Sequence, residues 1–226
     1  GYQSGYYYQG QNSVAIGYQS GSQTQGQNSV AIGYRAGYTK QSENATTIGY
    51  QAGYDSQQNS SVSVGYQSGY SRQSTGSVVI GYQAGYNSPG QYSFIAGYQS
   101  SYNPYFDSSI SGISKVTIGN RAGYDNQNDY TIAIGHQAGY QRQSVGSIAI
   151  GYNANSSGVH TNALILNNSG ATLSSSANDQ FKVGNMRTQA ISLDYKMQYD
   201  PSTKEVWYFP DRAKHYYTLH NSMSTV

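Results

Sequence analysis

Residues 13–21 read Ser13-Val14-Ala15-Ile16-Gly17-Tyr18-Gln19-Ser20-Gly21, and residues 29–38 read Ser29-Val30-Ala31-Ile32-Gly33-Tyr34-Arg35-Ala36-Gly37-Tyr38. The first glycine of this unit falls at Gly1, Gly17, Gly33, Gly49, Gly65, Gly81 and Gly97, always 16 residues apart. After one gap of 22 it resumes at Gly119, Gly135 and Gly151. Three residues precede each glycine, and their outer two positions are mostly large and apolar while the middle one is often Ala, Ser or Thr. That is the alternation of a short strand with two side chains on one face. A period of 16 leaves no room for a packed pair of helices, so each unit is read as one coil of a parallel β-solenoid.

The reading places Val14, Ile16, Val30, Ile32, Ile48, Val62, Val64, Val78, Ile80, Val116, Ile118, Ile132, Ile134, Ile148, Ile150, Leu164 and Leu166 in the core. The small middle residues then form a flatter face toward neighbouring chains. Gly17, Gly33, Gly49, Gly65, Gly81, Gly97, Gly119, Gly135 and Gly151 turn the corners, where φ > 0 or close coil contact is needed. The residue three further on is always Ser or Ala, which makes the interior narrow on that side. A single stack this thin covers its core poorly, so a homo-oligomer is expected.

Composition alone would suit a low-complexity tract, with 26 Tyr and 27 Gly in 226 residues. The strict register excludes that. Charged residues make up 10% of the chain and the net charge is +2, so there is no basic stripe for nucleic acid. The absence of cysteine removes disulfides, thiolate nucleophiles and Cys-type zinc sites. No apolar run is long enough to cross a bilayer as a helix. Starting at Gly1, the chain is expected to be a fragment or a processed product.

The Ser-Val-Ala-Ile-Gly runs at Ser13 to Gly17 and Ser29 to Gly33 resemble the head repeat of trimeric autotransporter adhesins of Gram-negative bacteria. The resemblance implies a left-handed parallel β-roll with three chains per head. It covers residues 1–166, although the adhesin repeat is typically shorter and poorer in Tyr. The Tyr-rich form, with Asn162 to Asn167 and Tyr199 to Val206, is also similar to fibre proteins of large DNA viruses and phages. The leading expectation is therefore a structural fibre or capsid-associated subunit of a virion, with host attachment as an added role. The alternative is the head of a bacterial trimeric adhesin at the cell surface, binding host glycan or matrix protein. Expected partners are two further copies of the chain, other virion or surface proteins, and a host glycan or receptor, without nucleic acid or membrane insertion.

The solenoid is expected over 1–166, with an irregular coil and insertion at 98–117. A connector follows at 167–180, then a β-hairpin cap or neck at 181–209 and a tail at 210–226. The hairpin rests on alternating Leu193, Tyr195, Met197 and Tyr199 before Asp200-Pro201.

Two tyrosine series recur with the period: Tyr2, Tyr18, Tyr34, Tyr50, Tyr66, Tyr82, Tyr98 and Tyr152, and Tyr6, Tyr38, Tyr54, Tyr70, Tyr86, Tyr102, Tyr124 and Tyr140. Stacked coils would set such rings about 4.8 Å apart. Rings so stacked satisfy one another, and packing is preferred to a glycan-gripping strip. The insertion supplies the candidate contact site, Tyr102, Tyr105, Phe106 and Asp107, held out by a rigid scaffold. His136, His160, His215 and His220 lack metal-ligand spacing, and the scattered carboxylates lack the pairing of acid–base chemistry. No catalytic, metal or cofactor site is expected, and no enzyme. Sequons at Asn44, Asn59, Asn155 and Asn167 match chance in so Asn- and Ser-rich a chain.

Overall fold

The structure, a computed structural model, describes residues 1–103, 112–158 and 160–184, together with the backbone of two strands, Tyr195–Asp200 and Glu205–Pro210. The chain divides into two units, Gly1–Asn185 and Met186–Val226.

The first unit is a parallel β-solenoid. Its main sheet has 11 strands in sequence order: Val14–Ile16, Val30–Ile32, Thr46–Ile48, Val62–Val64, Val78–Ile80, Phe94–Ala96, Val116–Ile118, Ile132–Ile134, Ile148–Gly151, Leu164–Asn167 and Phe181–Val183. Each pairs in parallel with the next, aligned triplet on triplet, as in Val30↔Thr46 and Ile32↔Ile48. The 22-residue coil keeps this register, since Val116 pairs with Phe94. A second, weaker seam joins Tyr8–Gln9, Thr24–Gln25 and Lys40–Gln41, and continues as bridges such as Gln41↔Gln57 and Ser71↔Asn87.

The core lies on the opposite face of the triplets from the one expected. The middle residues Ala31, Thr47, Ser63, Val79, Ile95, Thr117, Ala133, Ala149 and Ile165 are fully buried. None of the flanking aliphatics assigned to the core is buried in the single chain. Val30, Ile32, Val62, Val64, Val78, Val116, Ile132, Ile134, Ile148, Leu164 and Leu166 are half-buried, while Val14, Ile16, Ile48, Ile80, Ile118 and Ile150 are exposed. The cause is space. Opposite the triplet stand Ala36, Ala52, Ser68, Ala84, Ala122, Ala138 and Ala154, all fully buried, and a column of glutamines fills the rest. So narrow a coil admits one side chain per strand, from Ala up to Ile, and the two flanking ones turn outward.

The corner glycines have φ between 114° and 133°. At Gly49 a Cβ would run into the carbonyl of Gly65 in the next coil, so both the conformation and the close approach require glycine.

The solenoid extends beyond residue 166. Phe181–Val183 adds an eleventh strand, pairing Leu164↔Phe181 and Leu166↔Val183. The segment 167–180 is accordingly the return of a coil rather than a connector. The Asn155 amide donates to the Leu173 carbonyl at 2.6 Å, and the Leu164 amide to the Gln180 carbonyl at 2.7 Å. The Asn167 carboxamide donates to the carbonyls of Tyr152 and Ala171, both at 2.6 Å, and closes the corner where the glycine of other coils stands. Residues 181–183 therefore belong to the solenoid, not to the hairpin. The second unit contains an antiparallel pair running from Tyr195↔Pro210 to Asp200↔Glu205. Residues 211–226 lie outside the described residues.

Candidate binding surface

Three features repeat along the outside of the rod. The first is the row of outward aliphatics on the main sheet. Ile16 is 56% exposed and Ile80 is 41% exposed, and with Phe94 and Phe181 they leave an apolar strip uncovered on the isolated chain.

The second feature is a pair of tyrosine ladders at the corner that follows each triplet. From Tyr2 to Tyr98 successive rings stack at 4.9–5.4 Å. From Tyr38 to Tyr140 they stack at 4.8–5.4 Å. Asn120 interrupts the first ladder, which resumes as His136 on Tyr152 at 5.1 Å. Tyr70, Tyr86 and Tyr124 titrate above the usual tyrosine range, first because burial disfavours the phenolate and then because the like charge of a neighbouring tyrosine repels it.

Between the ladders runs the third feature, a row of polar side chains. Its residues hold φ near 50°: Gln3, Gln19, Arg35, Gln51, Gln67, Gln83, Gln99, Arg121 and Gln137. Amide donates to amide from coil to coil, Gln19 to Gln3 at 2.7 Å, Gln67 to Gln51 and Gln83 to Gln67 at 2.9 Å, and Gln99 to Gln83 at 3.0 Å. Arg35 and Arg121 join the row through Nε, at 2.8 Å to Gln19 and 3.1 Å to Gln99. The Arg35 guanidinium lies 5.3 Å from the Tyr34 ring and 5.4 Å from that of Tyr38, so it bridges the two ladders.

A fourth periodic feature is internal and was missed by the sequence reading. Gln25, Gln41, Gln57, Gln73, Gln127 and Gln143 are buried. Their Nε2 atoms donate to main-chain carbonyls; Gln41, for example, reaches Val30 at 2.7 Å and Ala45 at 3.0 Å. The Oε1 atoms of Gln25, Gln41 and Gln143 have no hydrogen-bond partner and sit against Gly21, Gly37 and Gly139, where a Cβ would collide with them. Gly21, Gly37 and Gly139 also hold φ between 51° and 56°, and that left-handed turn together with the crowding by the glutamine oxygen accounts for the second glycine of the repeat. The available signal was the return of Gln every 16 residues at a position that needs no polarity if exposed.

Of the insertion residues, Tyr102 is a rung of the second ladder between Tyr86 and Tyr124, with centroids 5.1 and 5.4 Å away. Tyr105, Phe106 and Asp107 lie outside the described residues. His160 Nδ1 is 3.0 Å from Ser175 Oγ, and among the described residues no group of His, Cys, Asp and Glu could hold a metal. Asn44 and Asn59 are exposed, whereas Asn155 and Asn167 are buried and closed to glycosylation. Among the described residues no helix is long and apolar enough to cross a membrane.

The coils share a polar turn, a strand triplet, a corner glycine and a small inward residue, and two of them carry Ser-Val-Ala-Ile, at Ser13 to Ile16 and Ser29 to Ile32. Residues 9–36 and 144–161 match the YadA head domain repeat, in two copies. The solenoid is a YadA-head-like β-roll. The matched stretches lie toward the two ends of the array, and the coils between them keep the YadA-like period and triplets. No curated protein and no solved structure matches the chain. The likeness to fibre proteins of viruses and phages finds no support in these comparisons, and YadA head repeats point instead to an adhesin-like head domain.

Proposed function

We propose that the solenoid is the head of a cell-surface adhesin that assembles as a homotrimer, with its outward aliphatic rows as the contact between chains. The observation that carries this reading is the uncovered strip from Val14 and Ile16 to Ile150, on a chain that bears YadA head repeats. Contiguous apolar surface of this kind marks an interaction site, and burying it removes from water the large side chains that the coil interior excludes. Parallel chains would bring equivalent rows together at every coil. The role is adhesive and structural; no catalytic function is assigned.

The test measures native mass by light scattering and, separately, binding of the protein to host cells and matrix. Three chains per particle, with adhesion lost in the double variant Ile48→Asp, Ile80→Asp, supports the proposal. A monodisperse monomer overturns the assembly. A trimer that binds neither cells nor matrix overturns the adhesive role.

A further inference from the structure

The ladders raise the question of what their exposed part can recognise. Inside a stack each ring has neighbours on both faces, as Tyr66 has Tyr50 and Tyr82, both at 4.9 Å. The faces that would grip a sugar or an aromatic ligand by stacking are therefore occupied. What reaches water is the ring edge and the phenol hydroxyl, and Tyr50, Tyr66, Tyr82 and Tyr98 remain 41–43% exposed. Beside them Gln67, Gln83 and Gln99 each give one N–H and one lone pair to the row, and Gln51 gives one lone pair. One N–H and one lone pair per amide stay available.

From Tyr50-Gln51 to Tyr98-Gln99 each coil thus displays the same phenol and carboxamide in the same orientation. The ring planes here lie within 5–8° of one another. The row carries no charge between Arg35 and Arg121, and both arginines are held in place by glutamine acceptors. A partner that stays in register with the coils must itself be linear and extended, with a repeat equal to the coil rise or a whole multiple of it; any other repeat drifts out of phase within a few rungs. It must also be neutral and rich in hydroxyls. A β-1,4-linked chain of pyranose rings has these properties: it is straight, each ring advances about the step between neighbouring tyrosines, and because alternate rings are turned half over it presents the same groups to every second coil. Chains with α-linkages coil and do not keep that step.

We propose that the uncharged track from Tyr50-Gln51 to Tyr98-Gln99 binds an extended, neutral β-1,4-linked polysaccharide lying along the rod axis. The proposal rests on the adhesin reading for its biological setting and names a ligand class for it. Each rung contributes weakly, and repetition along one polymer supplies the affinity.

The experiment measures depletion of the purified full chain by suspended cellulose and chitin, with starch as the α-linked control. Retention on the β-linked polymers that salt does not release, and that a soluble oligomer of the same sugar displaces where the monosaccharide does not, is the expected result. The variant Tyr66→Phe, Tyr82→Phe keeps the stack but removes two hydroxyls, and Gln67→Ala, Gln83→Ala removes the amides. Combining them is expected to weaken retention at least about tenfold, the equivalent of a few net hydrogen bonds, with circular dichroism unchanged. Equal retention on starch, undiminished retention of the combined variant, or no retention on any polymer overturns the proposal. A trimer that adheres to matrix protein but ignores polysaccharide removes the track and leaves the head reading intact. A polysaccharide-binding monomer does the reverse.

Discussion

Val79 and Ile80 are consecutive residues of one strand, and Val79 is fully buried while Ile80 is 41% exposed. The Val79 side chain packs with Ala84 and Ile95 inside the coil, whereas that of Ile80 stands on the outer apolar strip. The pair therefore separates folding from the proposed assembly. Val79→Asp buries an unpaired carboxylate, and the expected outcome is loss of the cooperative β-unfolding transition. Ile80→Asp leaves a folded chain whose native mass falls in light scattering. Equal effects of the two on folding would contradict the two-faced strand.

The buried glutamines are expected to matter more than the exposed ones. In Gln73 the Nε2 donates to Val62 at 2.8 Å and Ser77 at 3.1 Å, and its Oε1 accepts from Ser63. Gln73→Ala strands those groups and empties the coil, at a cost of about 2–4 kcal/mol. Gln67→Ala, on the outer row, changes stability by no more than about 0.5 kcal/mol. Urea midpoints of the two variants test the difference.

Glycines of the repeat divide by what surrounds them. Gly49→Ala places a methyl group against the backbone of the next coil, which cannot swing aside, and a failure to accumulate folded protein is expected. Gly170 has φ +73° but nothing within 4 Å of a Cβ, so Gly170→Ala costs only the left-handed conformation, about 1–2 kcal/mol. The yield of folded Gly49→Ala and the thermal midpoint of Gly170→Ala distinguish these cases.

Lys115 stands where other coils have Ser93 or Thr131, and it is buried. Loss of hydration lowers its pKa from 10.5 to about 8, against the opposing pull of Asp129. Between those values the unfolded chain holds a proton that the folded chain does not, so stability rises as pH climbs from about 8 toward 10.5. The full gain is on the order of 3 kcal/mol. The raised pKa values of Tyr70, Tyr86 and Tyr124 act in the other direction, with stability present below pH 10 and lost as pH rises through the folded-state values. In Lys115→Met the rise above pH 8 is expected to vanish while the alkaline loss remains, as urea midpoints across pH would show.

Period, strands and corners were legible because they depend on sequence spacing, which Gly17, Gly33 and Gly49 mark directly. The facing of each strand was not. A triplet such as Val30-Ala31-Ile32 has the same alternation whether one side chain or two point inward. The assignment by hydrophobicity failed because the large residues are free to cover a surface outside the chain, while interior width limits what enters. The eleventh strand was hidden because Phe181-Lys182-Val183 follows Asn167 in place of the corner glycine and carries a lysine in the middle. Nothing in spacing pointed to the contact between Gln41 and Gly37, which depends on how two parts of one coil fold together.

Backbone bonds such as Gly33 to Ile16 and Gly49 to Ile32, both 2.8 Å, run from coil to coil along the rod. A tensile load applied to the chain along that direction meets one coil's bonds at a time rather than all of them together. Each released coil of 16 residues pays out about 50 Å of extended polypeptide. A surface structure made this way yields in steps under shear, lengthening at its loaded end while the remaining coils stay wound.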